Sequence, residues 1–211
     1  MVELHEMFFE RNVSLNIGID IDGVLTDIHG FNRKHAPPFF KKNFNREVVD
    51  DTPYDVRDIF ECPSDEHDAY WRKHSITYAV FEPARKDASK TVRKLIAGGH
   101  NVYIISKRVF SCRDDFLGKL ARFCVRNWMW WNGIKYKEII FCDNDIPDSK
   151  RTACLDKGID VMIDDEKVNI EAVAPVAKVI CFDAPYNRDC EGENIIRAKN
   201  WDEVYRIIST L

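Results

Sequence analysis

Gly18-Ile19-Asp20-Ile21-Asp22-Gly23-Val24-Leu25-Thr26-Asp27 sets two carboxylates two positions apart where an apolar run ends. Asn16-Ile17-Gly18-Ile19 reads as a buried β-strand, and Gly23 as the break that lets the chain turn. Side chains i and i+2 of an extended backbone project to one side, so Asp20 and Asp22 can face a common ligand. Open α/β sheets take their ligands at the carboxyl ends of their strands. A nucleophile with an acid/base partner fits this arrangement, and so does a plain acidic turn built on Asp22-Gly23. Against the plain turn stands the mutual repulsion of Asp20, Asp22 and Asp27, which a cation or solvent has to relieve.

Further strand-like runs lie at residues 101–105, 138–141, 160–163 and 178–182. Between them, Ala88, Val92, Leu95 and Ile96 recur at helical spacing and stop at Gly98-Gly99, residues 116–131 read as a long amphipathic helix, and residues 149–157 as a short one ending at Gly158. Strand alternating with helix predicts an α/β fold, a doubly wound parallel sheet covered on both faces. The exception is residues 28–85, polar, aromatic and punctuated by Pro37-Pro38, Pro53, Pro63 and Pro83. An insertion there would stand over Asp20 and Asp22 as a small, mainly helical cap, leaving 1–27 and 86–211 as the core domain. Its aromatic residues, among them Phe31, Phe44, Tyr70 and Trp71, serve either substrate stacking or the cap's own packing. Trp128, Trp130 and Trp131 at the end of the 116–131 helix belong to no motif and are expected against the sheet or a partner subunit, which leaves homo-oligomerisation open.

At 211 residues the chain suits one core with an elaboration rather than two ordinary domains. Its 45% hydrophobic and 31% charged residues mark a globular protein, with no apolar run long enough to span a bilayer. Residues 1–14 interleave Glu3, His5, Glu6, Glu10 and Arg11 with apolar residues, unlike a secretory signal, so a cytoplasmic location is expected. The odd count of seven cysteines, with no CxxC pair, argues against a disulfide framework and a common zinc site; Cys142, Cys154 and Cys181 sit in apolar surroundings as packing residues. A net charge of −4 offers no general attraction to a nucleic acid polymer, and the basic cluster Arg33-Lys34-His35 with Lys41-Lys42 is split by prolines. A small anionic substrate fits better.

Three later positions extend the acidic motif. The 101–105 run ends in Ser106-Lys107-Arg108, a hydroxyl and two cations at a strand terminus where a phosphate would fit. Lys150 opens a helix after Pro147-Asp148, at the positive end of that helix dipole, where a lysine is disfavoured unless an anion is near; a solvated surface lysine is the plain alternative. The 160–163 run leads into Asp164-Asp165, adjacent carboxylates that repel unless a divalent ion bridges them.

Apolar-Asp-x-Asp-Gly-Val, then an apolar run ending in Ser, then Lys, then Asp-Asp is the motif order of the haloacid dehalogenase (HAD) superfamily, and across residues 16–165 the chain resembles a phosphatase of that group. Lys150-x-x-x-Cys154-x-x-x-Gly158-Ile159-Asp160-Val161-Met162-Ile163-Asp164-Asp165, with Pro53-Tyr54-Asp55-Val56, is similar to the 5'(3')-deoxyribonucleotidase-like branch. The resemblance implies a Rossmann-like core and a phosphomonoesterase in which Asp20 attacks phosphorus and Asp22 is the acid/base. It further implies Mg²⁺ held by Asp20, Asp22, Asp164 and Asp165, and phosphoryl oxygens held by Ser106 and Lys150. Lys107 and Arg108 are candidate substrate contacts, although Arg108 could instead pair with an acidic neighbour. The expected substrate is a small phosphorylated metabolite such as a nucleoside monophosphate, with a sugar phosphate as the alternative.

Two other classes compete. A dehalogenase has no phosphate to neutralise and so no use for Asp22 and the Asp164-Asp165 pair. A non-enzymatic phospho-acceptor of receiver type combines similar residues, but places its acidic pair and its acceptor on different strands with no lid.

Overall fold

The computed structural model describes residues 14–146 and 148–211. Residues 1–13, on which the expectation of a cytoplasmic location rests, and Pro147 lie outside the described residues.

Among the described residues, six parallel strands form one sheet: β1 (Asn16–Ile19), β2 (Asn101–Ser106), β3 (Glu138–Phe141), β4 (Val161–Asp164), β5 (Lys178–Phe182) and β6 (Ile195–Ala198), in the order β3-β2-β1-β4-β5-β6. Alternation along the strands sorts the apolar side chains into two layers. Ile17, Ile19, Val102, Ile104, Val161 and Ile163 meet α4 (Ala88–Ala97), α5 (Phe116–Trp131) and α8 (Trp201–Ile208) on one face. Tyr103, Ile105, Met162, Val179 and Cys181 meet α6 (Ser149–Lys157) and α7 (Lys167–Val173) on the other. This is the doubly wound α/β class. Chain order reverses between β1 and β4, so a crevice opens at their carboxyl ends.

Local chemistry sets the helix limits. Ala88, Val92 and Leu95 put the apolar face of α4 on the sheet, and the chain leaves through Gly98 and Gly99, the latter at φ +91°. The Asp115 carboxylate caps α5 by accepting from the Gly118 N–H at 2.9 Å. Trp128 packs into the core under the sheet, whereas Trp130 and Trp131 are 77% and 81% exposed. Cys142, Cys154 and Cys181 are buried packing residues. Among the described residues no helix is long and apolar enough to cross a membrane.

Residues 28–85 are more regular than their composition implies: α1 (Ile28–Phe44), α2 (Val56–Phe60) and α3 (Ser64–Ile76), the last prolonged by a wide turn at Thr77–Phe81. α1 runs straight through Pro37 and Pro38. Phe39, Phe40, Ile59, Phe60 and Tyr70 bury one another away from the sheet, with Phe40 and Phe60 stacked at 4.2 Å. Asp27 does not join the acidic cluster: its carboxylate caps α1 through the Gly30 N–H and pairs with Arg85 at 3.0 Å.

Candidate active site

Asp20 follows β1 directly, and its N–H donates to the Ile163 carbonyl at 3.0 Å, pinning it against β4. Asp164 ends β4 and Asp165 follows it, both fully buried. One carboxylate oxygen from each of Asp20, Asp164 and Asp165 falls within 4.8 Å of the others. Gly23, at φ +83°, permits this: a Cβ there would stand 1.8 Å from Asp165 Oδ2.

Lys150 reaches the cluster from α6. It is no surface lysine, being 1% exposed, with Nζ 2.6 Å from Asp164 Oδ2 and 3.0 Å from Asp20 Oδ2. Burial alone would lower its pKa, but Asp164 and Asp20 outweigh that and raise it, so Lys150 stays charged. Burial pushes Asp20 up to about 8, with Lys150 opposing and Asp164 adding to the rise. Asp165 is likewise raised well above the usual carboxylate range by burial and by Asp164 and Asp20. One buried cation therefore faces three buried carboxylates.

Two oxygens of the cluster, Asp20 Oδ1 and Asp165 Oδ1, are buried with no hydrogen-bond partner among the described residues. Orphaned carboxylate oxygens in an over-acidic cradle are the ligand chemistry of a hard dication such as Mg²⁺. Neighbours hold the remaining atoms: Asp164 Oδ1 accepts from the Glu166 N–H at 3.1 Å and from Asn169 at 3.3 Å, and Tyr186 O–H donates to Asp165 Oδ2.

Asp22 lies outside this three-carboxylate group. Its carboxylate accepts from Arg108 Nε at 3.0 Å and Nη2 at 2.9 Å, and from Tyr78 O–H at 2.8 Å. Arg108, for which the sequence left open a substrate contact or an acidic partner, is 8% exposed and pairs with Asp22. Ser106 is fully buried at the end of β2, where its Oγ accepts from the Arg108 N–H at 3.2 Å. Lys107 is half-buried, and its charge bears on Glu166 and Cys142.

Sequence reasoning missed the tyrosines. Tyr78 comes from the wide turn after α3, Tyr186 from the turn after β5, and Tyr54 from the loop before α2 packs edge-on to Tyr186 at 5.1 Å. Tyr186 carried a legible signal, its place just beyond the carboxyl end of a strand, and Tyr54 stood within the Pro53-Tyr54-Asp55-Val56 segment without a role of its own; Tyr78 carried no signal apart from being aromatic.

The doubly wound sheet thus carries this acidic cluster and lysine at the carboxyl ends of its central strands, as the resemblance to the HAD superfamily implies. Solved structures share the fold: a predicted phosphatase from Clostridium acetobutylicum (TM-score 0.62, 14% identity, 94% of this chain and 99% of that one) and a HAD-superfamily hydrolase from Geobacter sulfurreducens (TM-score 0.54, 13% identity, 92% and 96%). The model of the family "5' nucleotidase, deoxy (Pyrimidine), cytosolic type C protein" matches residues 13–211, and the chain belongs to that family, as a phosphoric monoester hydrolase. It is 28% identical over 200 residues to a nucleotidase of Clostridium acetobutylicum (93% of this chain, 95% of the relative). It is 26% identical over 209 residues to a 5'(3')-deoxyribonucleotidase candidate of Chlorobaculum tepidum (95% and 96%).

Proposed function

We propose that the protein is a Mg²⁺-dependent 5'-nucleotidase that hydrolyses a nucleoside monophosphate through an aspartyl-phosphate on Asp20. The observation that carries this reading is the convergence of Asp20, Asp164 and Asp165 with two orphaned oxygens beside the buried Lys150.

Asp20, Asp164 and Asp165 would hold Mg²⁺, which when bound neutralises charge between carboxylates and phosphate. Ser106 Oγ and Lys150 Nζ would take phosphoryl oxygens, which carry most of the charge in a loose transition state. Asp20 attacks phosphorus and the P–O ester bond breaks, its electron pair staying on the leaving oxygen, which takes a proton from the Asp22 carboxyl. Asp22 then takes a proton from water as the water oxygen attacks the phosphorus. The P–O bond to Asp20 breaks, phosphate leaves and both carboxyls return to their starting states.

Residues 28–85 form the cap in this reading and 1–27 with 86–211 the core; the cap sets substrate choice, with Trp71 and Tyr54 as nucleoside contacts and Lys107 at the phosphate side. Two contacts support this reading: Trp71 lies against Tyr78 at 6.0 Å, and Tyr54 lies near enough to Asp165 and Asp22 to feel their charge. Turnover of a panel of phosphate monoesters with Mg²⁺ and with excess chelator tests the reading. It expects nucleoside monophosphates to lead and chelator to stop turnover; full activity in chelator would refute the metal role.

A further inference from the structure

We infer that Arg108 and Tyr78 are positioning residues that fix which oxygen of Asp22 handles the proton. This rests on the reading of Asp22 as the acid/base.

The two oxygens of Asp22 are treated unequally. Among the described residues, Oδ1 accepts three hydrogen bonds, from Tyr78 O–H at 2.8 Å, Arg108 Nη2 at 2.9 Å and Arg108 Nε at 3.0 Å, whereas Oδ2 receives only the longer branch of Nε at 3.2 Å. A proton on Oδ1 would have to displace a donor already in place, two of them charge-assisted. Oδ2 is the oxygen left to give a proton to the leaving group and to take one from water. Asp22 also keeps 18% of its side chain exposed, so this corner is reachable.

The clamp is itself over-determined. The Arg108 guanidinium lies between the Tyr78 ring, 5.5 Å away, and the Trp128 ring, 5.7 Å away, and Nη1 donates to the Ala79 carbonyl at 3.2 Å. The Tyr78 hydroxyl shares a second hydrogen bond with Thr26 at 2.7 Å. Tyr78 and Ala79 belong to the wide turn after α3, Trp128 to α5 and Arg108 to the segment after β2, so the Asp22 carboxyl, on the turn after β1, is set by three other elements. Lysine at 108 would keep the charge and lose the two-point grip.

The test uses the full chain with Mg²⁺ and esters graded by leaving group, from p-nitrophenyl phosphate, whose phenolate leaves without a proton, through phenyl phosphate to an alkyl phosphate. Because kcat/KM reports only steps up to phosphoryl transfer, it isolates the protonation of the leaving oxygen from the later use of Asp22 on water. Arg108→Lys and Tyr78→Phe are expected to lower kcat/KM for the alkyl ester by about tenfold or more beyond any loss on p-nitrophenyl phosphate, within the range of general-acid contributions. Inhibition by inorganic phosphate should stay within about twofold of the unsubstituted protein. Asp22→Asn should show the same leaving-group trend more steeply.

An equal loss on all esters in variants shown to be folded by circular dichroism would overturn the inference, reducing the clamp to scaffolding. Weakened phosphate inhibition without a leaving-group trend would overturn it in favour of Arg108 as a substrate contact. Should Arg108→Lys fail to fold, Tyr78→Phe, which removes a single donor from Oδ1, decides alone. If Asp22→Asn shows the trend and neither other variant does, only this inference falls; if Asp22→Asn lacks it, the assignment of Asp22 falls too.

Discussion

Gly23 and Asp165 stand so close that a Cβ on Gly23 would lie 1.8 Å from Asp165 Oδ2. The turn after β1 and the acidic end of β4 are thereby fitted into one another. Gly23→Ala meets that clash at φ +83°, where an L side chain is strained by about 1–2 kcal/mol before any contact is counted. The expected result is a folded, destabilised protein with weakened Mg²⁺ binding and little turnover, read by calorimetry and phosphate release. Wild-type Mg²⁺ affinity in this variant would contradict it.

The charge balance predicts how pH acts. Asp20 is raised from 3.8 to about 8, so between these values the folded state holds a proton that the unfolded chain has released. Stability from this group is present below about pH 4 and is lost as pH rises through about 8. Metal-free protein should therefore lose stability over that window, while the rise in Tm caused by Mg²⁺ grows across it, since binding requires the proton to leave. Melting curves from pH 5 to 8.5, with Mg²⁺ and with chelator, check both slopes; a Mg²⁺ effect that shrinks with pH would refute the placement of Asp20 at the metal.

Lys150→Met removes the cation bonded to Asp20 and Asp164. Breaking a buried pair from one side costs about 3–5 kcal/mol. The variant should melt lower in chelator, regain part of the loss in Mg²⁺, and show little turnover. Unchanged melting in chelator would mean that Lys150 does not compensate the cluster.

The aromatics of residues 28–85 are expected to serve two roles. Phe44 and Trp71 both pack against that segment's apolar cluster, and Trp71 also lies against Tyr78, the hydroxyl donor to Asp22. Trp71→Ala should lower kcat/KM for a nucleoside monophosphate by about 1–3 kcal/mol, as for a base losing an aromatic platform, and affect p-nitrophenyl phosphate less. Phe44→Ala should lower the melting temperature with little change in preference among esters. Equal losses of both substrates in Trp71→Ala would move nucleoside recognition elsewhere.

Much of this was legible because strands buried on both faces appear as uninterrupted apolar runs: β1, β3 and β5 have the limits read from sequence, and β4 is displaced by one residue so that Asp164 belongs to the strand. β6 was not legible, since Ile195–Ala198 is a short edge strand with one apolar pair beside Arg197. The helices of residues 28–85 were obscured by Pro37-Pro38, which α1 carries within it, and by aromatics that pack against each other rather than with a clear period. Within the site, residue types at strand ends were readable, but partners were not. Nothing local marks Tyr78 or Arg108 as companions of Asp22, because the fold alone joins positions 56 and 86 residues apart.

The measurement that bears most directly on the account is capture of the covalent intermediate. Protein mixed with Mg²⁺ and a ³²P-labelled nucleoside monophosphate, quenched in acid within milliseconds, should carry label on one carboxylate, sensitive to hydroxylamine and mapped to the peptide containing Asp20. Asp20→Asn should carry none and release no phosphate. Steady turnover by Asp20→Asn, or label on a residue other than Asp20, would contradict it.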